Sequence, residues 1–364
     1  MKYFNFVAAL LLVLLYSLGS IPPSARYNLW LVNFIIPFAL ILNIFLLVTG
    51  ILLRKKSSVF FLVALLFGGG YLFSTVGIKS FFKRSHSADL RDFTVLNYNL
   101  SSFNTGFVEG LGNEMNERAD TLRLNMMNWV LNSDADIKCL QEFPYPPSPG
   151  DIDLLKAFHE RGYGHYFSAA ENKRDRSQFG ILIVSRFPIV AHGDVMASKN
   201  GYNRIAFVDV RFRDDTIRIV NIHLQSMQIK NFHPGFSGNF EDQTRNARVV
   251  LRKLKSGVFE RSKQIKELLG FIKTSSHPVV CAGDFNELPY SYSYQMLKKS
   301  LYNTFEESGR GFGFTYNGNT LSMLRIDNQF YSSALKSVTF HTLDSVRYTD
   351  HFPLHGTYLV RDSH

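Results

Sequence analysis

Apolar and polar positions divide this chain into two unlike parts. Up to Ile78 the apolar residues form long runs, Phe4 to Leu18, Trp30 to Leu53 and Val59 to Ile78, whereas beyond Phe93 they form short blocks, each closed by a polar motif. Crossing a bilayer takes about 20 predominantly apolar residues. The second and third runs meet that length and the first falls short of it. Lys2 before the first run and Ser17, Gly19 and Ser20 after it also fit a cleaved signal peptide. The expectation is therefore two or three transmembrane helices, near 4–20, 30–53 and 59–78. Pro37 and Gly68 to Gly70 are compatible with this, because membrane helices tolerate Pro and Gly.

In the second part, Phe93 to Leu96, Ile217 to Ile222 and Pro278 to Ala282 read as buried strands. Glu114 to Asn132 carries apolar residues at helical spacing, and 241–273 does so with a strongly basic complement, Arg261 included, which predicts one or two amphipathic helices with solvated basic faces. Pro144 to Gly150 reads as a rigid loop. Polar motifs close the strand-like blocks: LNYNL (96–100), LQEF (140–143), NIHLQS (221–226), GDFN (283–286), RIDNQF (325–330) and TDHFPL (349–354). Strands commonly end in Asn or Asp for turn-forming reasons. A series carrying Asn99, Glu142, His223, Asp284, Asn286, Asp327, Asp350 and His351 instead describes a site.

Carboxylates and amide oxygens without a thiolate cluster favour a hard cation, Mg²⁺ or Mn²⁺, which keeps much of its water for a substrate. Two histidines and a spare Asp add proton transfer and charge stabilisation. That combination suits phosphoester hydrolysis. Cys139 and Cys281 each sit in an apolar strand and read as small buried hydrophobes, with a disulfide left open and no zinc spacing.

In order and flanking residues, these motifs resemble the endonuclease/exonuclease/phosphatase superfamily, which includes DNase I-like nucleases, AP endonucleases, inositol polyphosphate phosphatases and neutral sphingomyelinases. The resemblance runs over roughly residues 90–362 and takes in SQFGILIVSRFPIV (177–190). It implies a four-layer α/β/β/α sandwich, DNase I-like, preceded by the transmembrane helices. The implied organisation is a membrane region at 1–84, a tether at 85–92 and a catalytic domain at 93–362. It further implies Asn99, Glu142 and Asp350 as metal ligands, and His223, Asp284, Asn286, Asp327 and His351 as catalytic residues. Asp327 would orient His351, and either Asp284 or His351 would be the base. His223 stands where the AP-endonuclease branch has Tyr, so the chain looks unlike an abasic-site enzyme. Asn328 and Gln329 depart from the Tyr that often follows Arg-Ile-Asp, which bears on local substrate contacts. His233, His277, His341 and His355 match no motif.

The net charge of +10 belongs mostly to the membrane part. Residues 1–84 hold eight of the 40 basic residues and none of the 30 acidic ones, so the remainder carries 32 against 30, or +2. A high overall pI is thus weak support for nucleic acid, whose footprint must lie on the binding domain. Lys2 and Arg54 to Lys56 favour the cytoplasmic side, which with three spans places the catalytic domain outside the cytoplasm, although Lys79, Lys83 and Arg84 pull the other way. The expected partners are a bilayer and a phosphorylated substrate (lipid head group, small phosphoester or nucleic acid), with no obligate protein partner evident. A nuclease is the alternative reading, and a non-catalytic membrane scaffold a remote one.

Overall fold

The computed structural model describes residues 2–23, 28–79, 92–104, 115–174, 176–198, 201–226, 240–318 and 322–361. Its first three helices are α1 (Lys2–Leu18), α2 (Val32–Leu52) and α3 (Ser58–Thr75). Two apolar helical segments, Leu29–Leu52 and Ser58–Thr75, are long enough to cross a membrane; α1, with 17 residues, is shorter. Small residues let the helices close on one another. A Cβ on Gly68 would lie 2.8 Å from the Tyr16 ring, and one on Gly50 2.8 Å from Ser58 Cβ. Polar groups join the helices as well: Tyr71 donates to the Tyr16 carbonyl at 3.1 Å, and Tyr16 to that of Ala39 at 3.2 Å. Phe38, Leu52, Leu66 and Phe67 point outward, exposed.

The remaining elements follow as β1 (Asp92–Asn99), α4 (Met115–Asn132), β2 (Ile137–Tyr145), α5 (Leu154–Glu160), β3 (Gly164–Glu171), β4 (Gln178–Ser185), β5 (Ile189–Ala197), β6 (Arg204–Phe212) and β7 (Asp215–His223). After them come α6 (Phe240–Lys273), β8 (Val279–Asp284), α7 (Tyr292–Lys298), β9 (Tyr302–Asn303), α8 (Thr304–Ser308), β10 (Tyr316–Asn317), β11 (Ser322–Leu324), β12 (Asp327–Tyr331), β13 (Leu335–Thr342) and β14 (Leu354–Val360). They build two six-stranded sheets, ordered β13-β14-β1-β2-β4-β3 and β5-β6-β7-β8-β12-β9. Val95, Ile137 and Ile183 of the first sheet meet Val208, Ile219 and Val280 of the second in the central core. On the outer faces Met126 of α4 and Phe158 of α5 cover Tyr98 and Leu182, while Ile265 and Leu268 of α6 and Leu297 of α7 cover Val220 and Ile222. The result is the expected α/β/β/α sandwich, and the 241–273 stretch forms one helix. The strand β2 runs on to Tyr145, into the segment expected to be loop. Both cysteines are free and buried, Cys139 between the sheets and Cys281 under α6.

Two amide pairs cross the apolar core beneath the motif-bearing strand ends. Gln329 donates to Asn97 Oδ1 at 2.9 Å, and Gln141 to Asn221 Oδ1 at 2.7 Å. A buried amide without a partner costs free energy, so each pair penalises sliding of one sheet on the other.

The N-terminal helices pack directly on the sandwich. Leu288, Tyr290 and Ile326 share a buried cluster with Tyr16, Ile36 and Tyr71. Around it, Arg325 donates to the Ser74 carbonyl at 2.5 Å, Ser74 Oγ to Glu306 at 2.5 Å, and Lys298 pairs with Glu306 at 2.7 Å. The expected tether, 85–92, lies outside the described residues except for Asp92.

Candidate active site

Strand direction and register gather the motifs at one end of the sandwich. Parallel pairing of β1 with β2 sets Asn99 opposite Gln141, and parallel pairing of β7 with β8 sets His223 opposite Asp284. The antiparallel β12 then places Asp327 opposite Asp284 as well. Gly283 has φ +143°, and a Cβ there would lie 2.1 Å from the Ile222 carbonyl oxygen, so glycine is what allows β8 to run this close to β7. Glu142 follows a different rule. It sits in a bulge where the β2–β4 register shifts between Leu140 and Phe143, with φ +53°, a conformation that re-aims the side chain at some cost in backbone strain.

Asn99 Nδ2 lies 3.3 Å from Glu142 Oε1 and 3.1 Å from Asp284 Oδ2. Asn286 binds Asp284 twice, through its backbone N–H at 2.8 Å and its amide at 3.1 Å. His223 Nε2 is 3.7 Å from Glu142 and 3.9 Å from Asp284, and among the described residues neither of its ring nitrogens has a hydrogen-bond partner despite burial. His351 Nδ1 meets Asp327 Oδ2 at 2.9 Å. Ligand atoms of Asp284, Asp327 and His351 all fall within 4.8 Å of one another. Asp350 turns to the rim, where Ser101 Oγ donates to it at 2.6 Å and Tyr316 hydrogen-bonds to it. All eight sequence-chosen residues thus lie at this end, with Asp350 at its edge.

Charge is unevenly compensated here. Among the described residues, neither Lys nor Arg pairs with Glu142, Asp284 or Asp327; their ion-pair partners are His223 and His351. Burial, then the neighbouring Asp327 charge, push Asp284 up to about 6. For His351 burial works to lower the pKa, but the Asp327 carboxylate outweighs it and the imidazole is raised to about 10. Crowded carboxylates and an unpartnered imidazole form a donor set that fits a divalent cation; the Asn99 amide turns its nitrogen to the carboxylates while its oxygen accepts from the Ser101 N–H at 3.0 Å, and rotating that amide would bring the oxygen to the cluster.

Several residues that serve this site are not in the motifs. Ser101 begins a left-handed turn (φ 44°, 58° and 57° at Ser101 to Phe103) two residues after Asn99. The Tyr316 ring stands edge-on to His351 at 5.0 Å between centroids. Arg261, read from sequence as part of a solvated face, is 1% exposed and binds Glu287 at 2.9 Å and the Gln225 carbonyl at 2.9 Å, fastening α6 to the chain just beyond Asn286. A signal was there: Arg261 falls on the same helical stripe as Val258, Ile265, Leu268 and Ile272. Replacing Arg261 with Ala strands a buried carboxylate and is expected to destabilise the protein by about 3–5 kcal/mol. Denaturant unfolding measures this, and combining R261M with E287L should recover much of the loss.

The departures at Asn328 and Gln329 have structural causes. Asn328 accepts from Arg325 at 2.5 Å, and Gln329 is the inter-sheet amide that also accepts from Tyr358 at 2.7 Å. Both are buried away from the site. His233 lies outside the described residues.

A sequence model of the Endonuclease/Exonuclease/phosphatase family matches residues 96–351. The crystal structure of an endonuclease/exonuclease/phosphatase from Beutenbergia cavernae is similar over 74% of this chain and 72% of its own, at 17% identity and TM-score 0.50. TDP2 from C. elegans is similar over 74% and 75%, at 17% identity and TM-score 0.50, and a D. rerio TDP2 humanized by 14 mutations over 74% and 99%, at 16% identity and TM-score 0.51. Likeness at such identities speaks to fold. A search of curated proteins finds no match. The family match runs from within β1 to His351 and takes in all eight site residues, and on that ground the chain belongs to the Endonuclease/Exonuclease/phosphatase family of phosphoester hydrolases.

Proposed function

We propose that this protein is a membrane-tethered, divalent-metal-dependent phosphodiesterase or phosphatase, with residues 1–84 as membrane region and 93–362 as catalytic domain. The observation that carries the reading is the convergence of Asn99, Glu142, His223, Asp284 and the Asp327–His351 pair at one end of the sandwich, without, among the described residues, a Lys or Arg paired with Glu142, Asp284 or Asp327. Glu142 and Asn99 would hold Mg²⁺ or Mn²⁺, with Asp350 at the rim for a second ion. The bound ion supplies charge neutralisation on the phosphoryl oxygens.

The chain's own groups do the rest. Asn286 and the unpartnered His223 contact phosphate oxygens. Asp284, raised towards neutrality, accepts the proton of the attacking water, since a base works best with a pKa near the working pH. His351, holding its proton through Asp327, contributes positive charge to the transition state. The positive-inside preference of Lys2 and Arg54 to Lys56 favours an extracytoplasmic catalytic domain.

The test is turnover of bis(p-nitrophenyl) phosphate and p-nitrophenyl phosphate by the full chain in detergent, with Mg²⁺, Mn²⁺ or chelator. Metal-dependent release of nitrophenol that chelation abolishes is expected; a rate indifferent to chelator, or none on either ester, defeats the proposal. The exposed basic face of α6 (Arg248, Arg252, Lys253, Lys263, Lys266) favours a second reading, a nuclease. Oligonucleotide cleavage that weakens steeply with salt would select it.

A further inference from the structure

Resting on the phosphoesterase reading, we propose that the substrate is a phospholipid taken from the bilayer by way of a cavity that lies between Gly311, beside the end of α3, and Tyr316, which packs on His351. The cavity, of about 550 Å³, is lined in part by Arg310, Phe312, Phe314, Tyr316, Met323 and Arg347. That volume lies in the range of small-ligand sites, enough for a head group and the first carbons of its tails. Its inner wall is the outer wall of the active site. Tyr316 packs on His351 and pairs with it in an isolated bridge, and Asn317 N–H donates to the Asp350 carbonyl at 2.8 Å.

The outer wall is fixed to the last apolar helix. Gly77 and Gly311 exchange two main-chain hydrogen bonds, at 2.8 and 3.1 Å, two residues beyond the end of α3 at Thr75. The backbones touch there, since a Cβ on Gly77 would lie 2.5 Å from the carbonyl carbon of Gly309. Extended chain advances about 3.3 Å per residue, so Gly311 lies within roughly 10 Å of the helix end. If α3 spans, that is the depth at which hydrocarbon gives way to head groups. Here Phe312 is 57% exposed and Met323 65% exposed, apolar side chains standing out where an interface would receive them. Phe312 and Phe314 are stacked on each other at 5.5 Å instead of parting to admit a base. The lining sets five phenylalanines, suited to an acyl stem, beside Arg310, Arg347 and His341, suited to a phosphate, with Asp344 among them.

In the reaction a water oxygen forms the new bond to phosphorus, the ester P–O bond to the leaving alcohol breaks, and the water's proton ends on that alcohol. The test reconstitutes the full chain in phosphatidylcholine vesicles carrying phosphatidylglycerol or phosphatidic acid. It compares their hydrolysis with that of bis(p-nitrophenyl) phosphate, soluble glycerophosphoglycerol and a single-stranded oligonucleotide. Lipid should be cleaved in preference to its soluble head group. Phe312→Asp should lower the lipid-to-soluble-diester rate ratio at least about tenfold, the scale of one aromatic side chain's burial, while Lys263→Glu on α6 leaves that ratio alone. Independently of turnover, a Phe312→Trp variant should gain fluorescence that brominated phosphatidylcholine quenches. Turnover of the soluble diester with no lipid cleavage, an unchanged ratio in Phe312→Asp, or preference for the oligonucleotide would overturn the lipid assignment and leave the phosphoesterase reading standing. Failure on every ester would remove that reading, and the lipid assignment with it.

Discussion

Changing Glu142 to Gln is expected to lower turnover on the order of 10³-fold, the scale of losing one preorganised electrostatic group at a reacting centre. The substitution keeps length and an acceptor oxygen, so the bulge at φ +53° and the contact to Asn99 need not move. What disappears is one negative charge from a cluster that has, among the described residues, no lysine or arginine partner. Two consequences separate a metal ligand from a merely structural Glu. With chelator present the variant should unfold at a temperature no lower than the wild type, because it relieves repulsion with Asp284. With Mg²⁺ added the wild type should gain stability by mass action while the variant gains little. Wild-type turnover in E142Q, or equal metal stabilisation of both proteins, would remove Glu142 from the ligand set.

The sandwich was legible because its central strands, β1 and β8 among them, are buried on both faces, and buried strands read as continuous apolar runs whatever surrounds them. Each run then stops at polar residues that have no reason to cluster in sequence, which is why Asn99, Glu142, His223 and Asp284 could be chosen without coordinates. Residues whose role depends on a distant partner were not legible. Ser101 and Tyr316 matter through Asp350 and His351, which lie far along the chain from at least one of them. Arg261 stands on the apolar stripe of α6, so its burial was open to reading, but its partner Glu287 was not. Asn328 looked like a lapse from a family pattern and is instead an acceptor for Arg325, which ties the strand bearing Asp327 to the end of α3. Periodicity reports which face is buried; it does not report which helix arrives to bury it.

The Asp327–His351 pair yields the second large effect. His351→Ala should reduce turnover about 10²- to 10⁴-fold, as removal of a positioned proton-holding group does, and Asp327→Asn should come close to it without deleting the imidazole. A stability measurement distinguishes the electrostatic role from simple packing. The imidazole's folded pKa, about 10, lies above its unfolded value of 6.5, because Asp327 outweighs the burial that opposes charge. A raised pKa means protonation favours the folded state. The contribution is complete below pH 6.5 and is lost as pH climbs through about 10. In chelator, the gap in unfolding free energy between wild type and D327N should therefore shrink steadily as pH rises from about 6.5 towards 10. Asp284 pulls in the opposite sense at lower pH: Asp327 helps hold it up at about 6 from 3.8, so ionising it costs the wild type more than the variant. The gap should accordingly begin to narrow as Asp284 ionises between pH 4 and 6, before His351 loses its proton. A gap that stays constant from pH 4 to 10 would mean that Asp327 holds His351 by shape alone, and the assignment of a charged imidazole at the phosphate would fall.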